Sequence, residues 1–283
     1  MQLRTKIRIL KKKWPVAIGA GVLLVAAAAL LLIHTGHHQP PEETRPTEPE
    51  QETVLRPNPY DADSFGYDGK YLTCLEGEST LGVDVSEWQT EIDWPVLRQE
   101  GMEFAMIRVG RRGEEMGTLF PDNMAQSHYN GAKSAGFLVG GYFFSQAVSV
   151  EEAVEEAEYV IELVKDWELD LPIAFDWEHT SDENRTKNVD GQTLTACAVA
   201  FCERLRQAGY DTMVYFNWDY ANNRLDLTRL APYDFWFAMY ENPLEFQYRV
   251  TMWQYTERGD VPGVTGSVDI NLWLTYEEET NDE

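Results

Sequence analysis

Two carboxylic acids stand one residue apart at the end of an apolar run, in the stretch LPIAFDWEHT. If this run is an inner strand of a sheet, Asp176 and Glu178 point to the same side, with about 6.6 Å between their Cα atoms. Trp177 then points the other way, towards a layer of helices. Such a pair is suited to general acid–base chemistry, because a negative Asp176 is expected to raise the pKa of Glu178 and keep it as a proton donor.

Two further aspartates interrupt runs that are otherwise apolar. Asp84 lies in GVDVSEW near the start of the folded part, and Asp269 lies in GSVDINLW near its end. Each alone could be a turn former, since aspartate favours such places. In a closed barrel, however, the first and last strands are neighbours, so all four acids are predicted to converge on one rim.

Aromatic residues are expected near the same rim. They are Trp88, Tyr142, Phe144, Tyr215, Trp218, Tyr240, Trp253 and Tyr255. Core packing explains part of this set. Rings that stack on the apolar faces of a sugar, beside carboxylates that bind its hydroxyls, indicate a glycan site. The sequence contains no phosphate loop, no G-x-S-x-G and no histidine pair at metal spacing, so we predict neither a metal nor a cofactor.

Strand-like and helical stretches alternate beyond residue 79, and this pattern must position the acids. The strand candidates are 81–86, 104–110, 137–145, 171–178, 212–218, 234–240, 250–256 and 267–273. The helix candidates are 94–101, 121–136, 149–168 and 193–209. Apolar strands that alternate with helices predict a parallel sheet covered by helices, and eight strands favour a closed barrel. The last three strands are too close together for full helices, so five βα units and a three-strand closure are expected.

The N-terminal part has a different composition. A basic segment, 1–14, carries six Lys and Arg and no acid, and 15–33 is an uncharged apolar run. Nineteen helical residues at about 1.5 Å each approach the roughly 30 Å hydrocarbon core. We predict a single-pass membrane anchor at 15–33 with a cytoplasmic N-terminus and the folded domain outside the cell. Secretion after cleavage of a signal peptide is the alternative; the run is long for that purpose and HTGHH after it is a poor cleavage site.

The remaining boundaries follow from composition. Residues 34–59 are rich in Pro, Glu and Thr and predict an extended linker, because such a segment cannot bury enough apolar surface to fold. Residues 60–78 are interpreted as a lead-in, and 79–283 as the barrel domain. The formal charge of −25 argues against nucleic acid as a partner, since phosphate binding needs a basic face.

Five motifs in order, GVDVSEWQTEIDW, FAMIRVG, GGYFFSQA, FDWE and WQYTERGDVPGVTGSVDINLW, resemble the lysozymes of glycoside hydrolase family 25. The resemblance covers roughly 81–274. It implies a modified TIM-type (β/α)5β3 barrel and N-acetylmuramidase activity on the glycan strands of peptidoglycan.

The resemblance also implies roles for individual residues. It marks Glu178 as the proton donor and Asp176 as its partner, and it puts Asp84 and Asp269 in the active-site groove. The predicted substrate-binding residues are Tyr142, Tyr215 and Gln254, together with Trp88 and Tyr240 from the aromatic set.

The expected mechanism follows from two acids on one strand, which lie on the same side of the substrate. That is an awkward place for an inverting base, so we expect the substrate's own acetamido oxygen to act as the nucleophile, with retention of configuration. Asp176 as a direct nucleophile is the rival. Two other functions stay open: a glycan-binding module without catalysis, and a hydrolase of another N-acetylated glycan such as chitin.

Overall fold

The computed structural model describes residues 54–240 and 243–276, and these contain eleven strands. The strands are β1 (Phe65–Asp68), β2 (Tyr71–Cys74), β3 (Glu78–Val85), β4 (Phe104–Arg112), β5 (Leu119–Pro121), β6 (Leu138–Ser145), β7 (Ile173–Trp177), β8 (Thr212–Asn217), β9 (Asp234–Ala238), β10 (Met252–Gly259) and β11 (Val268–Thr275). Eight of them, β3, β4 and β6 to β11, form a closed barrel. The predicted α/β barrel of eight strands is therefore confirmed.

The direction of the strands decides where the acids meet. Each of β3, β4 and β6 to β10 runs parallel to its neighbours in that series, and β3 pairs with β4 to close the ring. The last strand, β11, runs antiparallel to both β10 and β3. Because β11 is reversed, its first residues lie at the rim where the parallel strands end.

In the described residues, six α-helices lie between strands of the barrel, and a short 3-10 helix, Arg185–Asn188, lies between β7 and β8. The α-helices are α1 (Trp94–Gln99), α2 (Ala125–Ser134), α3 (Val150–Val164), α4 (Gly191–Gln207), α5 (Trp218–Asn223) and α6 (Leu227–Leu230). Side-chain oxygens of Ser149 and Asp190 accept backbone N–H groups at the starts of α3 and α4. Gly136 and Gly209, with φ of 80° and 92°, follow the ends of α2 and α4, as the Ala-Gly pairs predict.

Two separate apolar layers hold the barrel together. The outer layer packs the helices on the sheet, and in it Phe201 of α4 lies against Phe143 and Phe175 of the barrel strands. The inner layer fills the barrel itself and includes Phe104 and Trp236. The barrel is thus a packed core whose open space lies at its rim.

Residues before the barrel pack along its outer surface. Strands β1 and β2 form a hairpin, and Phe65 packs edge-on against Trp253 at 5.1 Å between ring centroids. The backbone N–H of Asn58 donates to a carbonyl two residues before Arg249, at 3.0 Å. The backbone N–H of Arg249 donates in turn to a carbonyl two residues before Asn58, at 2.8 Å. Since Arg249 comes just before β10 begins, the chain enters at the end of the barrel remote from the acids.

The predicted basic segment 1–14, the anchor 15–33 and most of the linker 34–59 lie outside the described residues. In the part of the chain that the structure does describe, no helix has the length and apolar character needed to cross a bilayer.

The outer layer yields a test of stability. Phe201 is fully buried, so Phe201→Ala is expected to lower the free energy of unfolding by about 3–5 kcal/mol through the cavity that it leaves. Phe120→Ala is the matched control, because that ring is 41% exposed and its loss should cost below about 1 kcal/mol. Urea denaturation measures both. Equal losses in the two variants would contradict this account of the core.

Candidate active site

The two acids of the opening stretch lie at the C-terminal end of β7. Asp176 is buried, Glu178 follows the last strand residue at an exposed position, and both line a cavity of about 340 Å³ at the rim. Trp177 between them faces outwards, where its indole Nε1 donates to the carbonyl of Ala147 at 2.9 Å. The alternation expected from the sequence therefore holds at these three residues.

Asp84 and Asp269 lie in the same cavity, directly opposite each other across the β3–β11 pair. Asp84 is held by two amides, Gln254 Nε2 at 2.8 Å and Asn271 Nδ2 at 2.7 Å, both on its Oδ2 atom. Asn271 Oδ1 accepts in turn from the indole of Trp236 at 2.8 Å. The buried carboxylate thus has fixed neutral donors.

Gln254 links Asp84 to two tyrosines of the cavity wall. Its Oε1 accepts from the hydroxyl of Tyr215 at 3.0 Å and from that of Tyr240 at 2.5 Å. The Gln254 side chain thus makes three of its four possible hydrogen bonds within the site. Tyr142 lines the cavity beside them and packs edge-on against Trp236 at 5.7 Å.

The structure brings all nine sequence-predicted site residues to one cavity. Trp88 is among them, on the open edge, with 77% of its surface exposed. A ring in that position is available to stack on a ligand. Phe144 of the wider aromatic set lines the same cavity.

Three members of the aromatic set lie outside the cavity lining and have packing roles, as was expected of part of this set. Trp253 and Tyr255 flank Gln254 on β10, and because Gln254 faces the cavity, alternation turns both rings outwards against each other at 6.0 Å. Trp218 begins α5 and packs against Phe246 at 6.3 Å, away from the cavity lining.

Sequence reasoning missed Asn271, which binds Asp84 behind the cavity, and five residues of the lining: Ser86, Gln89, Arg108, Trp236 and Glu257. Asn271 stands two residues after Asp269, so the period of a strand could have found it. Arg108 interrupts the apolar run FAMIRVG and is the one basic side chain among the described residues of the lining. Its Nε donates to Asp122 at 2.8 Å and its Nη2 donates to Glu87 at 3.1 Å.

Burial dominates the proton affinities of the four acids. It raises the pKa of Asp176 well above its ordinary value; the charges of Glu178 and Asp84 add to this, and Arg108 opposes it. Burial also raises the pKa of Asp84, against hydrogen bonds from Asn271 and Gln254 that lower it. The pKa of Asp269 rises to about 9, first through burial and then through the charge of Asp84.

The pKa of Glu178 is raised as expected, but the predicted cause is wrong. The walls of the cavity raise it by removing water, although the residue stands at an exposed position of the rim. The charges of Asp84 and Glu257 add to the rise, whereas hydrogen bonding with Asp176 lowers the pKa of Glu178. Loss of water is therefore the largest cause that shifts both carboxyls of the pair towards their protonated forms.

Comparisons with known proteins identify a family for this chain. A family model described as "Glycosyl hydrolases family 25" matches residues 83–264. The chain is 26% identical over 217 residues to "Lysozyme M1" of Streptomyces globisporus, covering 73% of this chain and 71% of that protein. It is 24% identical over 193 residues to the "Autolytic lysozyme" of Clostridium acetobutylicum, covering 67% of this chain and 54% of the relative.

A solved structure shares the fold. It is the modular autolysin LytC of Streptococcus pneumoniae in complex with a synthetic peptidoglycan ligand, with a TM-score of 0.61 and 26% identity. The match covers 69% of this chain and 47% of that chain. The chain thus spans about half the length of the clostridial and pneumococcal proteins.

The raised pKa of Asp269 predicts how stability depends on pH. Between its ordinary value of 3.8 and its folded value of about 9, the folded carboxyl holds a proton that the unfolded one has lost. Stability therefore falls as pH rises through this window. Asp269→Asn removes the contribution, so urea midpoints between about pH 5 and pH 8 should decline less steeply than in the wild type.

Asp260→Asn, at an exposed aspartate outside the cavity lining, is the control and should keep the wild-type slope. A slope in Asp269→Asn as steep as that of the control would show that Asp269 is already ionised in the folded protein.

Proposed function

The chain belongs to glycosyl hydrolase family 25, and from this premise we propose that it is an N-acetylmuramidase of peptidoglycan. It cleaves the β-1,4 bond between N-acetylmuramic acid and N-acetylglucosamine. The observation that carries the proposal is the convergence of Asp176 and Glu178 with Asp84 and Asp269 in one rim cavity. A protein that only bound glycans would not need a desolvated pair of acids whose pKa values are both raised.

Glu178 is the general acid in this proposal. Its position at the exposed edge lets a glycosidic oxygen reach it, and its pKa, raised by burial, favours the protonated form that a general acid needs. Asp176 lies deeper, and its Oδ1 is buried with no hydrogen-bond partner among the described residues. A substrate acetamido N–H donated to that oxygen would favour the ionised form of Asp176 and leave the shared proton on Glu178.

The proposed reaction has two displacements at the anomeric carbon. Glu178 gives its proton to the leaving oxygen while the C1–O bond breaks and the acetamido carbonyl oxygen bonds to C1. Water then adds to C1, the Glu178 carboxylate takes a proton from it, and the acetamido oxygen leaves. Two inversions retain the configuration. Asp176 acts by holding and polarising the acetamido group, and Asp84 and Asp269 bind the sugar beside it.

The location of the enzyme is part of the proposal and rests on the sequence. The apolar run 15–33 behind a basic segment supports a single-pass anchor with the barrel domain outside the cell. A muramidase held at the membrane would act on the cell's own wall.

Replacing the acid tests its role. Glu178→Gln keeps the shape of the side chain but cannot donate a proton, so turnover should fall by roughly 10²–10⁴-fold with glycan binding intact. Release of muropeptides from purified peptidoglycan, followed by mass spectrometry, measures turnover; sedimentation with insoluble wall measures binding. Glu162→Gln, at an exposed acid of α3, is the matched control.

Three results would count against the proposal. An active Glu178→Gln enzyme would remove Glu178 from the acid role. Products that end in N-acetylglucosamine at the reducing end would indicate a glucosaminidase, and faster cleavage of chitin than of peptidoglycan would indicate a chitinase.

The stereochemistry of the first product tests the mechanism. Because the proposed route retains configuration, the β anomer of the new reducing end should appear first and then mutarotate. Proton NMR of a short peptidoglycan oligomer, followed from the first minutes of digestion, records the order. Initial formation of the α anomer would exclude both the acetamido route and its rival with Asp176 as nucleophile.

A further inference from the structure

The peptide group that joins Glu178 to His179 is held on both sides by side chains outside the cavity lining. The amide Nε2 of Gln146 donates to the carbonyl oxygen of Glu178 at 2.7 Å. The N–H of His179 donates to the hydroxyl oxygen of Tyr220, also at 2.7 Å. One peptide plane thus has both of its polar atoms bound, immediately after the proposed acid.

Gln146 is suited to this contact by its burial and its amide orientation. The residue is fully buried at the end of β6, and its Nε2 also donates to the carbonyl of Ser145 at 3.0 Å. Only the NH₂ side of an amide can serve two carbonyls, so the orientation is determined. Its Oε1 is left buried and without a hydrogen-bond partner in the described residues. Leaving that oxygen unpaired costs stability, which is consistent with a role beyond packing.

The turn that carries Gln146 is fixed by one buried and one partly buried ion pair. Glu156 of α3 accepts from the hydroxyl of Ser145 at 2.6 Å and from Arg112 Nε at 2.7 Å. Arg185 Nη1 donates to the carbonyl of Gln146 at 3.0 Å, and Arg185 also pairs with Glu152. Hydrogen bonds to buried, paired charges resist displacement. The donor that holds Glu178 therefore sits on a rigid support.

Tyr220 of α5 binds the other polar atom of this peptide group, the N–H of His179. Its ring lies 6.0 Å from that of Trp177, and the guanidinium of Arg224 lies over both rings at 5.4 and 5.3 Å. These contacts fix the hydroxyl independently of the cavity. Glu178 itself stands past the end of β7, where ladder hydrogen bonds no longer hold the backbone.

We infer that Gln146 and Tyr220 are positioning residues that hold the 178–179 peptide plane and thereby aim the Glu178 carboxyl at the scissile bond. The inference rests on the proposed role of Glu178. An acid that is displaced by about 1 Å loses roughly 10²-fold in rate, so such a restraint contributes directly to turnover.

Tyr220→Phe removes one hydroxyl and keeps the ring contacts, and it is the variant of choice. In the full chain, deuterium exchange of the His179 amide should become at least about tenfold faster than in the wild type, since its acceptor is gone. On peptidoglycan, kcat should fall about tenfold or more while KM stays within about twofold. The alkaline limb of the kcat profile should move to lower pH, because a carboxyl that swings towards water loses the burial that raises its pKa.

Tyr233→Phe is the matched control. It removes a hydroxyl that donates to Glu203 at 2.8 Å on the helical side of the barrel, so it should leave kcat and the pH profile unchanged. Gln146→Met, which keeps length but removes the donor, should reproduce the effects of Tyr220→Phe on kcat and on the pH limb.

The outcomes distinguish failure of the positioning role from failure of the proposed function. Unchanged exchange at His179 in Tyr220→Phe, or faster exchange with kcat and its pH limb as in the wild type, would overturn the positioning role. A wild-type chain that does not cut peptidoglycan contradicts the proposed function alone. Exchange at His179 would then still decide whether Tyr220 restrains the peptide plane.

Discussion

Five carboxyl groups, those of Asp84, Asp176, Glu178, Glu257 and Asp269, line one small cavity, and the free energy needed to ionise them together constrains the rest of the site. Removing water from Asp84 and Asp176 raises the proton affinity of both, and each charge opposes the next. The residues around these acids stabilise the ionised carboxylates with neutral hydrogen-bond donors more than with cations. Gln254 and Asn271 bind Asp84, while Arg108 is the single basic side chain in the described lining and is itself paired with two other acids. A site built this way favours protonated carboxyls, which is what an acid catalyst needs.

The barrel produces this concentration of charge through the reversal of one strand. In parallel strands, residues near the carboxyl ends meet at one rim, and this alone brings Asp84 together with Asp176. Asp269 reaches the same rim from the beginning of its strand, because β11 runs antiparallel to β3 and pairs the two aspartates directly. The same reversal sets Asn271 on the Asp269 face, in reach of Asp84. Strand direction and the period of two therefore determine which polar groups share the cavity.

The sequence predicts the parts of the structure that depend on local periodicity. The eight barrel strands follow from apolar runs between helical stretches, and the helix stops follow from glycine placement. The shared face of Asp176 and Glu178 follows from the period of two along a strand. The same rule, applied consistently, would have turned Trp253 and Tyr255 outwards once Gln254 was assigned to the groove. The cause of the raised pKa at Glu178 could not be predicted, because it depends on how closely the walls of the cavity exclude water, and that is a property of tertiary packing.

The residues that position Glu178 could not be predicted from the sequence, for a different reason. Gln146 and Tyr220 are distant from Glu178 along the chain, and both act on backbone atoms, so no pattern of side-chain types at Glu178 indicates them. Their partners are also unexceptional in sequence: Glu156 is one of several acids on an acidic helix, yet it alone of the described α3 acids is fully buried, against Arg112 and Ser145. A carboxylate buried in this way requires fixed donors, and those donors fix the turn that carries Gln146. The position of the Glu178 carboxyl at the rim thus depends on the buried contacts of Glu156 with Arg112 and Ser145.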